Sequence, residues 1–268
     1  ADKLEEEGLI ADPEGFLLRA KLLGSSDPIM AGEFLLPAGV SNATILDTFQ
    51  HGEVIRRFVT IPEGLPSVLV HERLMAEEHL TGEIPVPVEG SVLPDTYDFE
   101  RGEARSAVLA RMQAAMQNYL AEAWPKRASD IAVDNIADAV ILASIVEKET
   151  GVPEERGQVA SVFVNRLEQG MRLQTDPTVI YGIADFDGNI RRSHLEDREN
   201  PYNTYVNQGL PPGPIASPGR EALRAVVQPA ESDYLFFVSR NDGTHVFSRT
   251  YTEHARAVDE YQRRRRRN

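Results

Sequence analysis

The alternation of apolar and polar positions is most informative in the middle of the chain. Every residue from 139 to 146 is apolar or small, and the run ends in Glu147 and Glu149 just before Gly151 and Pro153. Because so long a run leaves no polar face, it predicts a buried helix that ends where glycine and proline interrupt it. The pattern therefore places two carboxyl groups in the last turn of a buried helix, where ionisation is costly.

Further helices and strands are predicted on both sides of this helix. An apolar stripe at helical spacing is formed by Val108, Leu109, Met112, Met116, Tyr119, Leu120 and Ala123. Other helices are predicted at 4–7, 15–23, 69–78, 153–170, 220–227 and from Tyr251 onward, and strands at 234–238 and 243–248. This mixture predicts the α+β class.

The N-terminal part alternates shorter elements. Its composition predicts a strand at 32–37, a capped helix at 41–52 and a second strand at 54–61. A strand-helix-strand module of this size resembles the LysM fold, which binds amino-sugar polymers. Many small α+β units would share the pattern, so the resemblance rests on the order of the elements alone.

A cluster of proline and glycine at 62–66 follows the second strand and predicts a domain boundary. A chain of 268 residues can hold one large domain or two unequal ones. We therefore expect a LysM-like subdomain with N-terminal helices at 1–64, followed by a larger mixed helical and β domain at 65–268.

The composition excludes several classes of function. The net charge of -14 argues against nucleic acid as a partner, because duplex binding needs a basic face. The chain has no cysteine, and its six histidines do not show the H-x-x-x-H spacing of a metal site. Dinucleotide, Walker and G-x-S-x-G motifs are missing too, so we expect neither a metal nor another cofactor.

The two ends of the chain carry less information. No apolar stretch reaches the roughly 18 residues that a membrane-spanning helix needs. The chain begins at Ala1 rather than Met, from which we expect that an N-terminal segment has been removed. The arginine run at 263–267 is expected to be a solvated helix end or tail.

Glu147 and Glu149 are the first candidates for chemistry. Two positions on a helix correspond to about 200° of rotation, so the two carboxyl groups point to nearly opposite sides. Glu149 follows the bulky residues Leu142, Ile145 and Val146 on its face, which together with the negative helix end should raise its pKa. A carboxyl group of this kind can act as a general acid near neutral pH. The alternative is that both are ordinary solvated residues of the last turn.

A second candidate region is the loop at 173–182. Its polar and aromatic members are Gln174, Thr175, Asp176 and Tyr181. They offer hydrogen-bond donors, acceptors and a ring face, which together suit a sugar ligand. The alternative, compatible with the first, is that Thr175 and Asp176 cap a helix whose first position is Pro177.

Two turn-rich stretches complete the candidate site. The first contains Tyr202, Asn203 and Thr204, and the second, at 209–219, is dominated by proline and glycine. Rigid residues of this kind can form the wall of a groove at a small entropic cost, with aromatic and amide groups at its mouth. The alternative is a plain connecting loop.

Together these stretches resemble the endolytic murein transglycosylases of the YceG-like family. The similar segments are 141–150, 156–167, 173–182, 202–205 and 209–215, with shorter ones at 94–97, 234–238 and 243–247. They occur in the same order over most of the chain. The resemblance implies a LysM-like subdomain, a catalytic domain and no cofactor, with peptidoglycan glycan strands as the substrate and peptidoglycan synthases as candidate partners.

The resemblance also implies a location and a reaction. Members of the family are held in the cytoplasmic membrane by one N-terminal helix, which this sequence does not contain, and face the periplasm. They cleave the β-1,4 bond between N-acetylmuramic acid and N-acetylglucosamine without water and leave 1,6-anhydro ends. Because the C6 hydroxyl of the sugar is the nucleophile, one carboxyl group is sufficient, whereas a hydrolase normally needs two.

The resemblance favours Glu149 as that carboxyl group, with Glu147 as the second choice. Lytic transglycosylases place their acid in a Glu-Ser pair at a helix end, which is similar to Glu149-Thr150 here. It further implies that the candidate polar residues of both loops bind substrate. Two other functions stay open: a non-catalytic wall-binding scaffold, and a lysozyme-type hydrolase with Asp176 as its second carboxylate.

Overall fold

The computed structural model describes residues 1–23, 27–129 and 131–263, and slightly fewer than half of these residues form helices. The α-helices are α1 (Asp2–Glu6), α2 (Pro13–Leu23), α3 (Asn42–His51), α4 (Ser67–Ala76), α5 (Arg105–Ala123), α6 (Ile136–Glu149), α7 (Arg156–Glu168), α8 (Asp176–Tyr181), α9 (Arg192–Leu195), α10 (Arg220–Val227) and α11 (Tyr251–Val258). The strands are β1 (Arg57–Thr60), β2 (Thr96–Phe99), β3 (Phe236–Ser239) and β4 (His245–Ser248). This mixture confirms the α+β class.

The strands form two small antiparallel sheets. β1 pairs with β2, in a register that places Arg57 opposite Phe99. β3 pairs with β4, with Phe236 opposite Ser248. β2 of the first sheet packs against α5, and the second sheet packs against α11, with β3 also contacting α7.

The buried helix α6 lies at the centre of the main core, as its apolar run predicts. Asn135 caps it, because its side chain accepts a hydrogen bond from the N–H of Asp138 at 2.9 Å. All residues from 139 to 146 are buried, and α7 and α10 pack against the helix. Burial of so many apolar side chains fixes the helix, and with it the direction of the two carboxyl groups at its end.

The predicted N-terminal module differs from the structure in one of its three elements. The helix is present as α3, and the second strand is present as the shorter β1. The strand predicted at 32–37 is wrong, since these residues form no ladder. Among the backbone hydrogen bonds of the described residues, this segment has one contact of the strand kind, from the N–H of Ile55 to the carbonyl of Glu33 at 2.8 Å, and Leu35 is exposed. Apolar composition alone cannot make a strand without a partner along its length.

The pairing of β1 bears on where the N-terminal part ends. β2, the partner of β1, lies beyond the cluster of proline and glycine at 62–66. Val59 and Ile61 are buried in one cluster together with apolar residues of α4 and β2. These contacts favour a boundary before β1, whereas the boundary at 62–66 stays a prediction. Of the arginine run at the C-terminus, residues 264–267 lie outside the described ranges.

Two truncated chains test the position of the boundary. We expect a chain that begins at Glu53 to unfold cooperatively, because it keeps β1 and the cluster around Val59 and Ile61. A chain that begins at Leu65 loses both buried side chains, which corresponds to about 3 to 6 kcal/mol of unfolding free energy. Urea denaturation of the two chains measures the difference. Equal stability would place the boundary at 62–66 after all.

Candidate active site

Glu147 and Glu149 leave the end of α6 towards different surroundings, as their spacing predicts. The side chain of Glu147 is 6% exposed, and its Oε1 lies 3.5 Å from Nη2 of the buried Arg156. Its Oε2 accepts a hydrogen bond from the backbone N–H of Gly219 at 2.8 Å. Burial raises the pKa of Glu147, and the bond from Gly219 opposes that shift. The contacts of Glu147 thus hold the loop at 209–219 to the core.

Glu149 lies instead in a cavity of about 360 Å³. The cavity is lined by Glu149, Phe163, Arg166, Leu173, Gln174, Asp176, Tyr205, Phe236, Phe237, Tyr251 and His254. Thr175 fixes the carboxyl group, because its hydroxyl donates a hydrogen bond to Oε1 of Glu149. The second oxygen of Glu149 is therefore the one on which a transferable proton can reside.

The surroundings favour the protonated form of Glu149. Burial raises the pKa of the Glu149 carboxyl group, and the nearby charge of Asp176 raises it further. The hydrogen bond from Thr175 and the more distant His245 and Arg166 act in the opposite direction. Glu149 is thus a partly buried carboxyl group with a raised pKa, open to a cavity, as a general acid requires.

A network of threonine side chains positions the loop that carries Thr175. The N–H of Thr175 donates to the hydroxyl of Thr204 at 3.1 Å, and the hydroxyls of Thr178 and Thr204 are 2.8 Å apart. Gln174 precedes them with φ of 53°, a left-handed conformation that is uncommon outside glycine. Thr175 occupies the cap position of α8, but its side chain makes no capping bond and contacts Glu149 instead.

Tyr205 and Arg166 are among the cavity residues that the sequence pattern did not single out. The hydroxyl of Tyr205 donates a hydrogen bond to Oδ1 of Asp176 at 2.6 Å, and burial raises the pKa of Tyr205. Arg166 is buried in the core, where its Nη1 donates to the carbonyl of Leu173 at 2.7 Å. Two features of the sequence could have indicated them. Tyr205 directly follows the predicted Thr204, and Arg166 is a charged residue within the apolar pattern of the helix predicted at 153–170.

Besides Thr175, four of the predicted binding residues do not line the cavity, namely Tyr181, Tyr202, Asn203 and Thr204. Tyr181 donates a hydrogen bond to Glu89 at 3.1 Å, and its ring lies 4.8 Å from that of Tyr202. Asn203 is fully buried, and its side-chain N–H group donates to backbone carbonyls, among them that of Asp197 at 2.7 Å. The structure thus brings together Glu149, Gln174, Thr175 and Asp176. Tyr181, Tyr202, Asn203 and Thr204 support the surrounding loops, and a role of these four in binding substrate stays a prediction.

The described ranges contain neither a metal cluster nor a membrane helix. No group of three or more His, Asp or Glu side chains in these ranges could hold a metal ion. None of the helices in residues 1–23, 27–129 and 131–263 has both the length and the apolar character that a bilayer crossing requires.

Curated proteins from Bacillus subtilis and Streptococcus pneumoniae are similar to this chain. The first, an endolytic murein transglycosylase of Bacillus subtilis (strain 168), is 35% identical over 65% of the chain and 48% of its own length. The second, of the same name from Streptococcus pneumoniae serotype 2 (strain D39 / NCTC 7466), is 27% identical over 96% of the chain and 55% of its own length. The chain thus spans about half the length of these relatives.

A solved structure and a family model agree with these similarities. The crystal structure of a putative YceG-like protein from Listeria monocytogenes is similar with a TM-score of 0.61 and 27% identity, over 94% of this chain and 92% of that protein. The model of the YceG-like family matches residues 1–260, which include both α6 and the cavity around Glu149. The chain is a member of the YceG-like family.

Proposed function

We propose that the protein is an endolytic lytic transglycosylase that cleaves peptidoglycan glycan strands, with Glu149 as its only acid-base group. The observation that carries the proposal is the setting of the Glu149 carboxyl group. This group has a raised pKa, accepts a hydrogen bond from Thr175 and opens into a cavity. Membership of the YceG-like family and the names of both relatives support it. The bond cleaved is the β-1,4 link between N-acetylmuramic acid and N-acetylglucosamine.

The reaction needs one carboxyl group in two successive roles. Glu149 first gives its proton to the glycosidic oxygen while the bond from that oxygen to C1 of the muramic acid breaks. The C6 hydroxyl of the same sugar then attacks C1, and its proton passes to the carboxylate of Glu149. The product carries a 1,6-anhydro ring, no water is consumed, and Glu149 is protonated again.

Thr175 and Asp176 adapt the site to this reaction. Because Thr175 donates to Oε1, the acidic proton is directed to Oε2. The carboxylate of Asp176 raises the pKa of Glu149 and also favours the positive charge that develops at C1 in the transition state. Neither residue needs to transfer a proton.

A lysozyme-type hydrolase is the second candidate function. The supporting observation is that Asp176 lines the same cavity as Glu149, so that a second carboxylate is available to activate water. Tyr205 already donates to one oxygen of Asp176, which reduces its availability as a base. The two functions differ in their products, because a hydrolase leaves reducing ends rather than anhydro ends.

The family resemblance also supports a location and partners for the protein. We place it in the bacterial cell envelope, held in the cytoplasmic membrane by one N-terminal helix with the catalytic domain in the periplasm. Peptidoglycan synthases, which make the glycan strands, are the candidate partners. This part of the proposal rests on the resemblance and on the names of the relatives, and affinity purification from membranes with a tagged protein would test it.

Glu149→Gln and Glu147→Gln form a matched pair that tests the assignment of the acid. We expect Glu149→Gln to fold normally and to lose at least about a thousandfold in kcat, because an amide cannot give a proton. Glu147→Gln leaves the buried Arg156 with weaker compensation, so that about 3 kcal/mol of stability is lost while some activity remains.

Mass spectrometry of the glycan products measures the loss of activity, and thermal denaturation measures the loss of stability. Products of the wild type should be one water lighter than hydrolysis products. An active Glu149→Gln beside an inactive but folded Glu147→Gln would contradict the assignment. Reducing ends in the wild type, lost in Asp176→Asn, would favour the hydrolase, and an absence of cleavage by the wild type would favour the non-catalytic scaffold.

The pH dependence of kcat/KM provides a further prediction. Since Glu149 must be protonated to act, the rate should fall as the pH rises through its pKa, which burial holds above the usual value of 4.5. In Asp176→Asn the negative charge is removed, the pKa of Glu149 falls, and the descending limb should move to lower pH. A limb that stays in place would show that Asp176 does not act on Glu149, and Glu147→Gln serves as the control.

A further inference from the structure

One side of the cavity around Glu149 is formed by aromatic rings that the proposed mechanism does not use. Phe236 comes from β3, whereas Tyr251 and His254 come from α11. The ring of Phe236 is stacked on that of His254 with centroids 5.2 Å apart, and Tyr251 meets Phe236 edge-on at 6.1 Å. We call these three side chains the aromatic wall.

The aromatic wall is held in place from behind. The guanidinium carbon of Arg166 lies 5.2 Å from the centre of the Phe236 ring. Arg166 also donates hydrogen bonds to the carbonyls of Leu235, which precedes Phe236, and Leu173, which precedes Gln174, each at 2.7 Å. One buried side chain thus joins the wall to the loop that carries Thr175 and Asp176.

Hydrogen bonds between Thr250 and Glu253 fix the start of α11, which carries Tyr251. Thr250 caps the helix, because its hydroxyl accepts a bond from the N–H of Glu253 at 3.2 Å and the side chain of Glu253 bonds back to Thr250. Tyr251 is the first residue of this helix and keeps 72% of its surface exposed. A large aromatic ring on a rigid support, exposed beside a cavity, is typical of a binding surface rather than of a core.

The charge of the wall also suits a neutral ligand. Burial, followed by the positive charge of Arg166, lowers the pKa of His254, so its ring is neutral at physiological pH. Its Nδ1 is buried and has no hydrogen-bond partner among the residues that the structure describes. The wall therefore offers apolar ring faces without a net charge, next to the polar groups of Gln174 and Asp176.

We infer that the aromatic wall is a sugar-binding subsite in which the exposed face of Tyr251 stacks on an N-acetylated amino sugar of the glycan strand. A pyranose ring has an apolar C–H face and polar edges, so it can stack on Tyr251 while its hydroxyl and acetamido groups reach the polar side of the cavity. The sugar bound there is a neighbour, along the strand, of the sugar at Glu149. The inference rests on the proposed function and assigns it a specific contact.

Binding of a sugar oligomer to a catalytically inactive variant tests this subsite. The parent protein is Glu149→Gln, the probe is a β-1,4-linked N-acetylglucosamine tetramer, and isothermal titration calorimetry gives Kd. We expect Tyr251→Ala to raise Kd about tenfold, equivalent to about 1.4 kcal/mol. Tyr251→Phe keeps the ring and should stay within about twofold of the parent, since twofold corresponds to well under 1 kcal/mol.

Phe58→Ala is the matched control for loss of an exposed aromatic ring. Phe58 is 65% exposed on β1 and does not line the cavity, so its removal should leave Kd unchanged. In otherwise wild-type protein, Tyr251→Ala should raise KM for glycan strands with little change in kcat, which a purely structural role of Tyr251 would not produce.

The possible outcomes separate this inference from the proposed function. If Tyr251→Ala binds the tetramer as tightly as its parent while the wild type still cleaves glycan, the subsite is overturned and the function stands. An equal rise of Kd in Phe58→Ala would also overturn it, because the effect would then not be local. If Glu149→Gln does not bind the tetramer and the wild type does not cleave glycan, the subsite and the proposed function are both contradicted.

Discussion

The burial of the carboxyl group of Glu149 at the end of α6 is the constraint on which the rest of the site depends. A helix whose residues 139–146 are all buried has no freedom to turn its last residues towards solvent. The cost of a charge in such a place is offset in part by the hydroxyl of Thr175. The remaining cost appears as the raised pKa that acid catalysis needs.

The same helix shows how two similar residues acquire different roles. Glu147 has a cationic partner in Arg156 and a backbone donor in Gly219, so its contacts are complete within the fold. Among the residues that the structure describes, the hydrogen-bond partner of Glu149 is the hydroxyl of Thr175, and Asp176 is a carboxylate neighbour, so the proton of Glu149 is easily retained and remains available to a ligand. Partners from distant segments, rather than position on the helix alone, thus separate the structural carboxyl group from the chemical one.

The sequence was informative where the determinants are local. The burial of the apolar run of α6 and the opposite directions of Glu147 and Glu149 both follow from helix periodicity. The absence of a strand at 32–37 and the pairing of β1 with β2 depend on which segments meet, and no local pattern records that.

The same limit applies to the site. Gln174, Thr175 and Asp176 were recognisable as polar residues of one loop, and the structure places Gln174 and Asp176 on the cavity wall and Thr175 in contact with Glu149. Tyr205 and Arg166, and the aromatic wall of Phe236, Tyr251 and His254, come from separate parts of the chain and have no common motif. Asn203, in contrast, is polar in sequence and yet fully buried, because backbone carbonyls of its own loop satisfy it.

The central claim is that Glu149 holds a proton under conditions in which ordinary carboxyl groups have lost theirs. Difference infrared spectroscopy over a pH titration, comparing the wild type with Glu149→Gln, observes this group directly. We predict a carboxyl band that is absent from Glu149→Gln and disappears only above the usual pKa of 4.5, because burial raises the pKa of Glu149. A Glu149 carboxyl that is already ionised at or below that value would contradict the account.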